Sequence, residues 1–215
     1  MAVVDKAQLQ QLLKGKTPEQ QKVIKYFNVA GGCGGSKRTP ESEFDEVVKN
    51  KLNSLDTKKR ALQKIGLDED ELKEIPPVFF HGFEDEGATY GMEGSDGRYR
   101  TSKYSATWLF FNNSQVFMYY IIFDLTSDSK NERTEEYFYK DITNFSTSSK
   151  SIEVTTFTQG GGCGKGETEN KKTIETSSFA LIVPGDKFMC STSGVANADQ
   201  AVNAMKQKLR EKKNG

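Results

Sequence analysis

The chain has one histidine, three cysteines and no net charge, and these shortages narrow its chemistry before any element is placed. Thirty Lys and Arg balance thirty Asp and Glu. Neither the first 75 residues nor the remainder departs far from neutrality. The basic excess that would draw the chain to nucleic acid or to an anionic bilayer is missing. An odd number of cysteines without framework spacing argues against a disulfide scaffold and agrees with a reducing compartment. His81 is the sole imidazole, and no second Cys or His stands near any cysteine, so metal-ligand spacing is absent. The nucleophile elbow Gly-x-Ser-x-Gly and the zinc motif His-Glu-x-x-His are missing too. No window approaches the ~20 apolar residues of a membrane helix. The first ten residues contain no apolar segment of signal-peptide length, so a cytoplasmic location is expected.

What is present divides at Pro76-Pro77. Residues 1–76 carry helix punctuation. Asp5 to Lys14 is a short helix with Leu9, Leu12 and Leu13 on one side, ended by Gly15. Thr17-Pro18-Glu19-Gln20 combines a cap, a proline suited to the first helical position and a capping-box glutamine. Val23, Ile24 and Phe27 give that helix its apolar stripe, and Gly31 is placed to supply a left-handed end. Thr39-Pro40 opens a helix with Phe44, Val47, Val48 and Leu52 on one face. Asp56 opens another, with Leu62 and Ile65 inward and Gly66 at its end. A capping box at Asp68-Glu69-Asp70-Glu71 starts a last short helix. A helix-turn-helix reader over Ser54 to Glu74 is disfavoured, because its last helix is acidic where base contacts need Arg, Lys, Asn or Gln.

From residue 77 to 215 the pattern is alternation. Strands are expected over Val78–Phe83, Arg98–Phe111, Gln115–Leu125, Thr134–Lys140, Phe145–Thr156, Thr173–Val183 and Lys187–Thr192. Glu84 to Gly97 reads as a long acidic loop. Ser146 to Ser149 reads as a polar break. Pro184-Gly185-Asp186 is a turn in which Pro presets one dihedral and Gly accepts positive φ. A final helix follows with Ala198, Ala201, Val202, Met205 and Leu209 inward and a cationic C-terminal end. Ser105 to Phe145 contains the only Trp and about half of the aromatic residues, so it is the core of this part. Within it Val116, Met118, Tyr120 and Ile122 fall on one side, and Phe117, Tyr119, Ile121 and Phe123 on the other. Both faces need cover. The second set is a candidate contact surface. The N-terminal helices, with apolar stripes of their own, are expected to dock on it; a homodimer is the competing cover.

Seven antiparallel strands and a C-terminal amphipathic helix define an α+β chain. The run Tyr137-Phe138-Tyr139-Lys140-Asp141-Ile142-Thr143, the hairpin Phe179 to Ser191 and the helix Ala198 to Lys212 resemble bacterial members of the pleckstrin-homology-like superfamily over residues 77–213. The resemblance implies a bent, partly open seven-stranded barrel plugged by the helix. It also implies either phosphoinositide binding through cations of the first loop or protein–protein contact through a sheet face or edge. Here that loop carries Glu84, Asp85, Glu86, Glu93 and Asp96 against Arg98, Arg100 and Lys103, so phosphate would be repelled. A protein partner is the implied use that remains, and a non-enzymatic binding or scaffold role without cofactor is expected.

The glycine-flanked Cys33 and Cys163 are the alternative. A phosphate loop fails around Gly164-Lys165, because the required glycine and Ser or Thr are replaced by Gln159 and Gly166. A redox-responsive or metal-binding pair Cys33–Cys163 stays open, since glycine-rich loops allow close approach. Cys190 is expected in the core, His81 packed, and Asp141 capping backbone at a strand bend.

Overall fold

Two of the expected helix starts are built by their own side chains. At the head of α1 (Lys6–Leu13) the Asp5 carboxylate accepts from the Gln8 N–H at 2.7 Å, and the Gln8 amide oxygen accepts from the Asp5 N–H at 2.9 Å. Thr17 and Gln20 repeat this at α2 (Pro18–Phe27), with Pro18 in the first turn. Each box satisfies two N–H groups that a helix start leaves without partners. α3 (Glu41–Ser54) follows Pro40, and α4 (Thr57–Ile65) ends on Gly66 at φ +75°, a left-handed conformation that costs glycine nothing in Cβ contacts.

The computed structural model describes residues 2–30, 37–68, 72, 76–159 and 167–214. Gly31 and most of the helix expected after Asp68 lie outside them. α2 ends without a glycine: Asn28 is extended, and its side-chain amide donates to the Ile24 carbonyl at 3.0 Å. The chain continues as β2 (Asn28–Ala30), which pairs in parallel with β1 (Ala2–Val4). Neither three-residue strand shows in the sequence pattern.

The seven strands expected after Pro77 are present as two antiparallel sheets. β3 (Val78–Glu84), β6 (Lys103–Phe111), β7 (Gln115–Asp124) and β8 (Lys130–Phe138) form the first, in the order β3-β6-β7-β8. β9 (Asn144–Gln159), β10 (Glu167–Val183) and β11 (Asp186–Ser191) form the second. Among the described residues no ladder closes these sheets into a barrel. At the β3 seam single bonds stand in for one. Gly194 N–H donates to the His81 carbonyl at 2.9 Å, and Phe83 N–H to Ser193 Oγ at 3.0 Å. A side chain at Gly194 would collide with His81 and Tyr104, so this seam needs glycine.

Three boundaries differ from expectation. The long second strand is cut at Ser102, whose hydroxyl accepts from the Thr89 and Tyr90 N–H groups. The cut-off piece, β5 (Tyr99–Thr101), pairs with β4 (Gly91–Glu93), so the acidic loop supplies one strand of a small hairpin. β8 starts earlier than its aromatic residues suggest. The serine run does not break β9: Asn144 to Gln159 pairs continuously with Glu167 to Ile182, and Ser148 and Ser178 share a hydroxyl bond at 2.9 Å. The ladder uses backbone groups, which serine carries like any other residue.

Two apolar cores lie on opposite faces of the first sheet. The inner one joins Phe80, Leu109, Val116 and Met118 to Phe145, Phe179 and Phe188, and α5 (Ala198–Asn214) adds Val202, Met205 and Leu209. The outer one joins Phe110, Phe117, Tyr119, Ile121 and Phe123 to Val23, Tyr26, Phe27, Phe44, Val48 and Ala61 of α2, α3 and α4. A fully buried aliphatic or aromatic side chain contributes about 1.5–3 kcal/mol, so this outer core joins the two parts of the chain. Polar pairs fix its edges. Trp108 Nε1 donates to Thr57 Oγ1 at 3.0 Å. Glu132 pairs with Lys64 at 2.9 Å and Arg60 at 3.5 Å. The Arg100 guanidinium, 1% exposed, reaches both Asp45 of α3 and Asp96 of the small hairpin with two bonds each at 2.8 Å.

Candidate binding site at the open mouth

The residues singled out from sequence separate on inspection. Phe117, Tyr119, Ile121 and Phe123 are 6%, 0%, 0% and 1% exposed. They pack against α2, α3 and α4 of the same chain. With that face covered, its apolar residues give no reason for a second copy on it. Cys33 and Cys163 both lie outside the described residues. Cys190 is buried, and burial pushes its thiol up to about 12. His81 is packed: its Nδ1 is 2.6 Å from the Tyr104 hydroxyl, and burial lowers its pKa. Asp141 is exposed and joins its turn through the backbone, its N–H donating to the Phe138 carbonyl at 2.9 Å. The capping carboxylate expected there is not seen.

The largest cavity described, about 870 Å³, opens between the two sheets. Its first wall is Glu84 of β3, Tyr120 and Ile122 of β7, and Arg133 of β8. The facing wall comes from Ser148, Lys150 and Ile152 of β9 with Ser178 of β10. Tyr99, Asp85 and Glu86 form the rim.

Alternation explains why Glu84 points inward. In β3 the residues Val78, Phe80, Gly82 and Glu84 share a face, opposite Leu109, Thr107, Ser105 and Lys103. Glu84 Oε1 accepts from Ser105 Oγ at 2.5 Å and from Ser191 N–H at 3.1 Å. Burial raises its pKa, Asp85 and Glu86 raise it further, and the two hydrogen bonds oppose this. Arg133 lies over the rings of Phe188 at 4.9 Å and Tyr120 at 5.4 Å, and pairs with Glu135 at 3.5 Å. Tyr120 meets Phe188 edge-on at 5.6 Å, and burial raises its hydroxyl pKa. Tyr99 donates to Asp85 at 3.3 Å. Burial pushes the Tyr99 hydroxyl up to about 12.

The mouth therefore offers aromatic surface, hydroxyls and a half-buried carboxylate. Among the described residues no grouping of His, Cys, Asp and Glu is arranged to hold a metal ion. No helix among them is long and apolar enough to cross a membrane. The sequence reading placed Glu84 in an exposed acidic loop and missed it as a site residue. The parity of Val78, Phe80 and Gly82 was the signal that could have found it. The alternation of β7 puts Tyr120 on the inner side, where it lines the cavity. The chain matches no family model, no curated protein and no solved structure.

Proposed function

We propose that the chain is a non-enzymatic, cytoplasmic binding module of the pleckstrin-homology-like kind that takes a protein partner at its mouth. The observation that carries this reading is the cavity of about 870 Å³ between the sheets, floored by the half-buried Glu84. A concave site with apolar walls and a few convergent polar groups is what a ligand site requires. The order of seven antiparallel strands and a C-terminal helix supports reading the two sheets as a bent, partly open barrel. The single bonds at the β3 seam support it as well.

Charge favours protein over lipid. Of the cations in the first loop, Arg100 is consumed by Asp45 and Asp96, and Arg98 shares Asp45 at 3.9 Å. A phosphate entering would meet Glu84, Asp85 and Glu86 beside Lys150 and an Arg133 already paired with Glu135. The test is recovery of partners from the native cell with the full chain as bait, beside a Ser148→Trp bait that fills the mouth from its exposed β9 wall. Proteins held by the parent and lost by the variant support the reading. Identical partner sets, or flotation with anionic vesicles that salt abolishes, overturn it.

A further inference from the structure

We propose that the mouth is a receptor for a lysine or arginine side chain presented by an extended segment of the partner, and that Glu84 receives the cation. This deepens the binding-module reading and rests on it. Glu84 holds two neutral donors on one oxygen. Among the described residues it forms no ion pair. Lys103 stands opposite it in the ladder, but the Lys103 ammonium lies beside Gly87. Asp85 and Glu86, of its own sign, act on Glu84. A half-buried carboxylate with like-charged neighbours and no counter-ion is completed by an incoming cation.

The walls suit the same occupant. Tyr99 and Tyr120 line the cavity beside Glu84, and a desolvated ammonium or guanidinium is attracted to aromatic faces. Arg133 does not compete, because Glu135 and the rings of Phe188 and Tyr120 hold it at the other wall. Strand edges select a peptide over a free amine. β8 ends the first sheet, β9 ends the second, and both border the mouth. Edge strands present unpaired N–H and C=O groups that an added strand can use; a small amine uses none of them.

The test is titration of the ¹⁵N-labelled full chain with acetylated, amidated pentapeptides of sequence Ser-Val-Xaa-Val-Ser, where Xaa is Lys, Arg, norleucine or Glu, and with butylamine. The Lys and Arg peptides are expected to shift the amide signals of Ser191 and of β8 and β9 saturably. Norleucine and Glu peptides are expected to bind about tenfold or more weakly, as is the Lys peptide to Glu84→Gln. The glutamine keeps the acceptor oxygen, and its spectrum reports whether the fold is kept. Equal binding of the norleucine peptide, or undiminished binding by a folded Glu84→Gln, overturns the role of Glu84 and leaves the binding mouth standing. Butylamine binding as tightly as the Lys peptide overturns the peptide as occupant. No shift at the mouth with any probe overturns both the receptor and the binding-module reading.

Discussion

The two faces of the four-stranded sheet use their charged residues in opposite ways. Beside the outer face Arg100 of the small hairpin lies between Asp45 and Asp96, and on it Glu132 is met by Arg60 and Lys64. Each of these charges is matched within the chain, and the apolar residues among them are covered by α2, α3 and α4. On the inner face the packing stops short of one end, and Glu84 faces the resulting space with two neutral donors. Groups that hold a fold together are satisfied inside it. A group left without its counter-ion is where a ligand can contribute.

Removing one face altogether has the largest expected effect. Deleting residues 1–75 bares Phe117, Tyr119, Ile121 and Phe123 together, and the remainder should associate or precipitate. Light scattering after gel filtration checks this, and a folded monomer would break the comparison. Phe44→Ala empties the middle of the outer core, where Phe44 stacks on Tyr26 at 4.2 Å between centroids. A loss of about 3–5 kcal/mol in urea unfolding is expected. A loss under about 1 kcal/mol would mean that α3 is an ornament on that face. Thr57→Ala strands the Trp108 indole N–H and should cost about 1 kcal/mol by the same measurement.

The inner face gives the smallest stability effect and an unusual sign. Burial raises the Glu84 pKa above its unfolded value. Its contribution is therefore fully present below the unfolded carboxylate value and is lost as pH rises through the raised folded value. Glu84→Gln suffers no such loss. Urea unfolding of parent and variant across pH should show the variant gaining as the pH rises out of the acid range, with the gap closing as it falls. A gap that runs the other way would make Glu84 a carboxylate stabilised by the fold.

Much of this arrangement was legible in sequence where a single local rule decides. Capping boxes at Asp5 and Thr17, the alternation of β7 and the turn at Gly185 follow from side-chain reach and backbone period. Docking of the helices followed from a strand apolar on both faces. What was not legible depends on partners distant in sequence. β1 pairs with β2 across the whole of α1 and α2. Ser102 cuts a strand because Thr89 and Tyr90 come to its hydroxyl. The serines of β9 looked like a break because side-chain polarity was read where backbone pairing decides. Glu84 was judged by its acidic neighbours in sequence, while its position was set by the parity of the apolar strand before it.

The most direct measurement is urea unfolding of Arg100→Ala and Glu84→Gln, side by side at neutral pH. If the outer charges serve the fold and the mouth charge serves a ligand, the two changes have opposite signs. Arg100→Ala should lose about 1.5–3 kcal/mol, the range for hydrogen bonds to charged groups, and Glu84→Gln should be at least as stable as the parent. A Glu84→Gln protein destabilised alongside Arg100→Ala would contradict the account, because Glu84 would then be one more charge that holds the sheets together.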